Sequence, residues 1–467
     1  MKDLRLITCF CRWGGSSLGL MEGFSITEND HLALHDIDMV DLCAEYGTPL
    51  FVFDEERLVG NFERFRKAFE DIYPKVKVCY SIKTNNNLAI CGILRSKGAY
   101  AEVSSELDLY TALRAGFLGE EIIYDGPYKP EAVLRKALEE EVLLVNVESF
   151  TEIERLDGIA GEMGREQAIG LRVNPFRLPG FLRSLHPNNL VEAGYCYPSC
   201  RFGFPVDEVH KVFRYLSGLK NLRVECLMVH PYNNAIKVLP PLLSEAKEKF
   251  GIEIKYLNIG GGFNPGTAGS LGDGLLMLDY IKRKLGFKSS LDKKRDVPSI
   301  EAIARTIVKS VRQSLRGLPE PTLIAEPGRF LVGPSGILLL NVDHAKMSGG
   351  YKWITVNGGT NIVPVIHDRR TILIANRAAA SEKELVNIVG PLLYPRDFIA
   401  VKSLLPQVEE DDVIAVLDCG AYSLSSSTQF LYPRPAAVLV RSDGKVEAIR
   451  ERESFEDVLR KDKSLTY

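Results

Sequence analysis

No stretch of this 467-residue chain approaches the ~18 consecutive apolar residues that a membrane-spanning helix needs. No secretory signal is expected either, because Lys2, Asp3 and Arg5 sit among the first residues and the apolar stretch Leu6 to Phe10 is too short. Charge of one sign is also scarce. The formal net charge of -3 argues against nucleic acid or an anionic membrane surface as the main partner. The nine cysteines are odd in number and scattered, which reads as reduced thiols in a cytoplasmic protein. Cys9-x-Cys11 and Cys196-x3-Cys200 have no second pair and no histidine cluster at zinc spacing, so no metal is expected. There is no internal repeat and no low-complexity tract.

What remains is the composition of a soluble globular protein, 45% hydrophobic and 25% charged. The length suits one large barrel-type domain and a smaller one. Apolar, β-branched runs occur at Lys77–Ser81, Tyr100–Val103, Ile122–Tyr124, Leu143–Val147, Ile169–Val173, Val224–Val229, Ile254–Ile259 and Thr322–Ala325. Helical spacing separates them, as in Glu106–Ala115, Pro130–Glu140, Ser149–Glu162, Val206–Ser217 and Leu242–Phe250. This alternation predicts an α/β fold, a parallel (β/α)8 barrel more than an open sheet. Two long connections, Phe176–Phe204 and Asn264–Pro321, have the length of functional lids or of loops with extra helices. Beyond about residue 332 the runs become short and turn-separated: Ile337–Val342, Trp353–Asn357, Leu373–Ala375, Val386–Val389, Val413–Leu417 and Ala437–Arg441. They predict a mostly antiparallel C-terminal β domain, to which Phe24–Phe53 contributes. The implied division is an N-terminal segment 1–48, a barrel 49–332 and a β domain 333–467.

In such a barrel the C-terminal strand ends form the active face. Lys83 stands there, where the run Val78-Cys79-Tyr80-Ser81 gives way to a loop. A partly desolvated amine at that point has a lowered pKa and attacks carbonyls, whereas its plain alternative is a surface lysine. Glu102, Arg172 and His230 end other runs. Gly260-Gly261-Gly262 lets backbone N–H groups approach an anion, or else forms a tight loop without a ligand. His230 reads either as a ring that stacks on an aromatic system or as a satisfied core histidine. In Glu326-Pro327-Gly328-Arg329, the carboxylate suits a protonated ring nitrogen and the guanidinium suits a phosphate or carboxylate. An internal ion pair is the alternative there. Together, an amine, a phosphate cradle, a stacking ring and a carboxylate are what pyridoxal phosphate requires.

Six stretches then carry a resemblance: Tyr80-Ser-Ile-Lys83-Thr-Asn85, Ala101-Glu-Val-Ser-Ser105, Arg201-Phe-Gly-Phe204, Ile259-Gly-Gly-Gly-Phe263, Glu326-Pro-Gly-Arg329 and Cys419-Gly-Ala-Tyr422. In that order the chain resembles the fold-type III pyridoxal-phosphate decarboxylases, the group of diaminopimelate and ornithine decarboxylases, with an alanine-racemase-like barrel. The resemblance implies that Lys83 is the Schiff-base lysine and that His230 stacks on the cofactor ring, these two being catalytic. It implies that Glu326 partners the pyridine nitrogen and that Gly260–Gly262 hold the phosphate. Glu102, Arg172, Asn233 and Gly328 join the cofactor shell. Arg329 contacts phosphate or a substrate carboxylate, and Tyr422 reaches the cofactor from the C-terminal domain. His367 and Tyr394 fall among the substrate-binding positions. A homodimer with shared active sites is implied.

The chain departs from this family at informative places. Where the family carries Gly-Pro-x-Cys-Glu/Asp, this sequence has Gly390-Pro391-Leu392-Leu393-Tyr394, and leucine has no proton to give. Tyr394 replaces an acid that binds the distal amine, and Val363 to His367 replaces distal-end residues, so meso-diaminopimelate is not the expected substrate. Glu102 replaces a family aspartate, and His230-Pro231-Tyr232-Asn233 replaces His-x-Gly-Ser. Tyr394, His367, Cys419 and a water are the candidates for the missing proton donor. The expected activity is decarboxylation of an amino acid or an amino-acid-derived metabolite. A racemase or epimerase, or a non-catalytic cofactor-binding homologue, are the alternatives.

Overall fold

A computed structural model describes residues 23–175, 201–266, 297–315, 318–364, 370–378 and 383–465. The chain divides into two compact units, one made of Asn61–Asn264 and the described part of the stretch up to Leu331, the other of the chain up to Gly60 and again from Val332.

The first unit is the expected barrel. Val76–Ser81, Tyr100–Val103, Ile122–Tyr124, Leu144–Val147, Gln167–Asn174, Leu222–Met228, Tyr256–Asn258 and Thr322–Ala325 pair in parallel, each with the next. Thr322–Ala325 pairs back with Val76–Ser81 and closes the ring. Strands buried on both faces read as unbroken apolar runs, which is why the sequence locates them so well. The period of two then sorts their side chains. Cys79, Ile123, Leu144, Ala168, Cys226 and Ile324 form an apolar cluster inside the barrel. Two residues further along the same strands come Ser81, Asp125, Asn146 and Glu326, all buried and polar. The barrel therefore has an apolar floor and a polar mouth.

Serines at the strand ends start the helices. Ser105 Oγ accepts from the Asp108 N–H at 3.1 Å, and Ser149 Oγ accepts from the Glu152 N–H at 3.2 Å. Both satisfy donors that the first helical turn leaves open. One helix differs from expectation. The sequence places its start at Leu242, after Pro240-Pro241, because proline lacks an N–H and crowds the preceding turn. It runs instead over Tyr232–Phe250, with Leu239, Leu242, Leu243 and Ala246 buried on one side. Tertiary packing outweighs the local cost of the two prolines.

The second unit is β-rich, with one strand from the N-terminal part of the chain at its centre. Leu50–Asp54 lies between Gly336–Ser348, antiparallel, and Ala436–Val440, parallel. All five of its residues are buried, and Leu50 and Val52 pack with Leu339, Ala415 and Val438. Tyr351–Val356 and Lys383–Val389 form a further parallel pair in a mostly antiparallel sheet. Two strands are absent from the sequence reading, Phe398–Pro406 and Val446–Arg450. In the first, Lys402 has φ +49° and interrupts the alternation that betrays a strand. The second is a half-exposed edge with charged Glu447 and Arg450. Among the described residues no helix is long and apolar enough to cross a membrane.

Candidate active site

Lys83 sits in the one-turn 3-10 helix Ile82–Thr84 that follows barrel strand Val76–Ser81. Its Nζ donates to Glu102 Oε2 at 2.5 Å and to Ser104 Oγ at 2.9 Å. Glu102 ends the neighbouring strand, is 1% exposed, and also accepts from the hydroxyls of Ser81 and Ser104. Burial by itself raises this carboxyl. The Lys83 ammonium and the hydrogen bonds outweigh burial and hold it below its ordinary value. The sequence reading of a desolvated lysine is corrected here. The Lys83 side chain is 45% exposed and ion-paired, so a buried carboxylate, not an apolar pocket, governs it.

Across the mouth, Glu326 follows strand Thr322–Ala325 and is 5% exposed. Its Oε1 accepts from Asn258 Nδ2 at 2.7 Å. Burial, then the charges of Glu102 and Asp125, push its carboxyl up to about 8. A carboxyl so placed gains from a cation set against it.

The glycine turn leans directly on this acid. A Cβ on Gly261 would come 2.7 Å from the Glu326 carbonyl oxygen, and Gly260, with φ +65°, is 2.9 Å by the same measure from the Val229 carbonyl. Only glycine permits both approaches. Two of the three N–H groups are already used: Gly260 donates to Asn258 Oδ1 at 2.8 Å and Gly261 to His230 Nδ1 at 3.1 Å. The turn thus orients His230 as much as it offers donors to an anion. Because Nδ1 accepts, the neutral ring carries its proton on Nε2. Desolvation, then the cations Arg172 and Lys83, push the imidazole pKa down, so the ring is neutral at pH 7. The residue itself remains exposed at the mouth.

Gly328 brings the Glu-Pro-Gly-Arg turn against the lysine turn, since a Cβ there would lie 2.1 Å from Thr84 Oγ1 and 3.3 Å from Ser81 Cβ. Arg329 opens the short helix Arg329–Val332 beside it. Arg172, on strand Gln167–Asn174, forms a buried ion pair with Asp125 and lies 4.8 Å from the Phe202 ring centroid. Lys83, Glu102, Arg172, His230, Gly260, Gly261, Gly262, Glu326, Gly328 and Arg329 are therefore all carried by strand ends or turns of the barrel mouth.

Tyr394 and Tyr422 belong to the other unit. Tyr422, at φ +56°, ends the Cys419-Gly420-Ala421-Tyr422 turn. That turn is held by N–H bonds from Cys419 to the Gly336 carbonyl at 2.8 Å and from Gly420 to the Gly333 carbonyl at 3.1 Å. Cys419 is fully buried with its thiol directed to the Leu417 carbonyl, so it is poorly placed to give a proton. His367 and the side chain of Asn233 lie outside the described residues. Sequence reasoning missed Asp125, Ser104 and Asn258. Asp125 directly follows strand Ile122–Tyr124, and the strand-end rule that picked out Glu102 would have found it.

An exposed amine, a buried acid that gains from a cation, and a neutral ring over a glycine turn converge on the C-terminal rim of one barrel. The residues fit pyridoxal phosphate, and Glu326 gives the firmest ground, since a protonated ring nitrogen would relieve its buried charge. Comparison with known proteins agrees. The family model for the pyridoxal-dependent decarboxylase, pyridoxal binding domain, matches residues 56–333. A diaminopimelate decarboxylase of Aquifex aeolicus is 31% identical over 92% of this chain and 94% of its own length. One from Methanothermobacter thermautotrophicus is 32% identical over 93% of this chain and 96% of its own. The crystal structure of diaminopimelate decarboxylase from M. jannaschii superposes with a TM-score of 0.80 at 26% identity, covering 96% of this chain and 99% of that one.

The chain belongs to the fold-type III pyridoxal-phosphate-dependent decarboxylases. It is a carboxy-lyase that acts on an amino acid.

Proposed function

We propose that this enzyme removes the α-carboxyl group of an amino acid, or of an amino-acid unit within a larger metabolite, other than meso-diaminopimelate, and that Lys83 carries its cofactor. The observation behind the substrate reading is the turn Gly390-Pro391-Leu392-Leu393-Tyr394. Asp397 pins it, its carboxylate accepting from the Leu392 N–H at 2.8 Å and from the Thr360 N–H at 2.6 Å. The tip so presented is Leu393, 95% exposed, followed by Tyr394 at 45%. It offers neither a thiol to return a proton nor a carboxylate for a distal ammonium.

When bound, pyridoxal phosphate supplies an electron sink for the pair left on Cα as CO2 departs. In this reading Glu102 and Ser104 hold the Lys83 amine at the barrel mouth. Glu326 would hold a proton on the ring nitrogen, and His230 would set its neutral ring against the cofactor. Gly260–Gly262, Asn233 and Arg329 meet anionic groups, and Arg172 completes the cationic side of the shell. Gly328 lets the lysine and acid turns touch, and Tyr422, His367 and Tyr394 serve cofactor and substrate. Tyr394 remains the described candidate for returning the proton to Cα. We propose a homodimer with shared active sites.

Because the curated relatives carry the name diaminopimelate decarboxylase, turnover of meso-diaminopimelate is the competing reading. CO2 release from meso-diaminopimelate and from a panel of amino acids, with mass spectrometry of products, decides between them. The expectation is release from another amino acid and none from meso-diaminopimelate, and efficient turnover of the latter refutes the substrate reading. Cα deuterium exchange without CO2 release would mark a racemase instead.

A further inference from the structure

The barrel mouth holds an acid, Asp125, that neither the sequence motifs nor the proposed roles use. Asp125 is 5% exposed, and its backbone N–H is held by the Val103 carbonyl at 2.8 Å. One carboxylate oxygen, Oδ2, takes the Arg172 guanidinium. The other, Oδ1, is buried and makes no well-formed hydrogen bond among the described residues, although the Gly126 backbone N–H acts on the carboxylate. A buried acceptor left open is uncommon enough to require an explanation. We propose that Asp125 is a further positioning residue of this site: it fixes Arg172 against the barrel wall and adds a negative charge that sets the protonation of the cofactor held by Lys83. This inference rests on the reading of Lys83 given above.

The charges around Asp125 are few and identifiable. Arg172, Lys129 and Lys83 act on it as cations. Glu102, Glu148 and Glu326 are the acids that share its field, and His230 faces the same mouth as a neutral ring. Lys129 is bound to Glu152, and Glu102 is bound to Lys83. Asp125 and Arg172 therefore form a buried pair of opposite charge whose members pull the proton at the lysine in opposite directions. Removing one member leaves the other uncompensated in a place where water screens little.

The test is the pH midpoint of the visible absorbance of the purified, cofactor-loaded enzyme. Asp125→Asn is expected to lower that midpoint by about one unit, a tenfold change in the proton equilibrium. Arg172→Gln is expected to raise it. The double variant, which leaves no unpaired buried charge and so guards against misfolding of either single variant, is expected to return near the wild-type value. Asp125→Glu, which keeps the charge, should hold the midpoint near the wild-type value. A role confined to packing predicts no such alternation of sign. An unchanged midpoint in Asp125→Asn, or displacement of both single variants in the same direction, overturns the proposal. Borohydride reduction and mass mapping of the wild type separate the two ideas. A label at Lys83 with no alternation defeats only the role of Asp125, whereas a label elsewhere defeats the reading beneath it.

Discussion

At the residue scale, Glu326 is the group whose environment makes the sharpest demand. In the folded cofactor-free protein burial and the charges of Glu102 and Asp125 push its carboxyl up to about 8, above the ordinary value of 4.5. The folded cofactor-free protein therefore holds this proton more tightly than the unfolded chain. Stability from that preference is complete below about pH 4.5 and is lost as pH rises through about 8. Cofactor-free wild type is thus expected to lose on the order of several kcal/mol between these limits relative to Glu326→Gln, which has no proton to release. Thermal unfolding of both proteins across the range measures it, and parallel curves would count against the assignment. Loading with pyridoxal phosphate should flatten the wild-type curve, because a ring cation stabilises the ionised carboxylate. In turnover, Glu326→Gln is expected to lower kcat by about 100-fold or more, the order seen when a group aimed at developing charge is removed.

At the scale of the element, two glycines of the barrel unit separate close approach from chance. Gly328 lies between turns, where a Cβ would press on Thr84 and Ser81 and so displace the turn that carries Lys83. Gly328→Ala is expected to cost about 1–3 kcal/mol and to lower kcat/KM more than tenfold. Gly158 lies in helix Phe150–Glu162 with nothing within 4 Å of its would-be Cβ. Gly158→Ala should instead stabilise by about 0.5–1 kcal/mol and leave kinetics unchanged. Denaturant unfolding and steady-state kinetics of the two variants check the contrast. The same elements show what was legible beforehand. Barrel strands announce themselves because both faces are buried, and Lys83, Glu102, Arg172, His230 and Glu326 could be read because each lies at or just beyond the end of such a run. Asp125 follows a run of only three strand residues and belongs to no motif, so it passed unnoticed. The partner of Lys83 was hidden for another reason. Whether an amine meets apolar walls or a carboxylate depends on the adjacent strand, and its own segment carries no record of that. In the β unit the alternation fails at Lys402, and the strand around it fails to show.

For the whole molecule, the proposed roles draw on residues of both compact units. Lys83 and Glu326 belong to the barrel unit, whereas Tyr394 and Tyr422 belong to the β-rich unit. If a homodimer shares its active sites, a lesion in one unit and a lesion in the other complement when they reside on different subunits. Lys83→Ala removes the amine, and Tyr422→Ala removes the tyrosine; each homodimer is expected to be inactive or nearly so. Random reassortment of equal amounts yields half heterodimers, and each heterodimer would contain one site with both lesions and one with neither. The mixture should then reach about one quarter of wild-type activity, provided that the chains exchange and that dimers form at the assay concentration. Activity of the mixture that stays at the level of the parents, with exchange verified by mass-tagged subunits, would mean that each site is completed within one chain. The same mixing, repeated with Tyr394→Ala in place of Tyr422→Ala, tests whether the Leu393–Tyr394 turn also serves the reaction across subunits. A quarter of wild-type activity is expected there too if Tyr394 supplies the proton that the absent cysteine cannot.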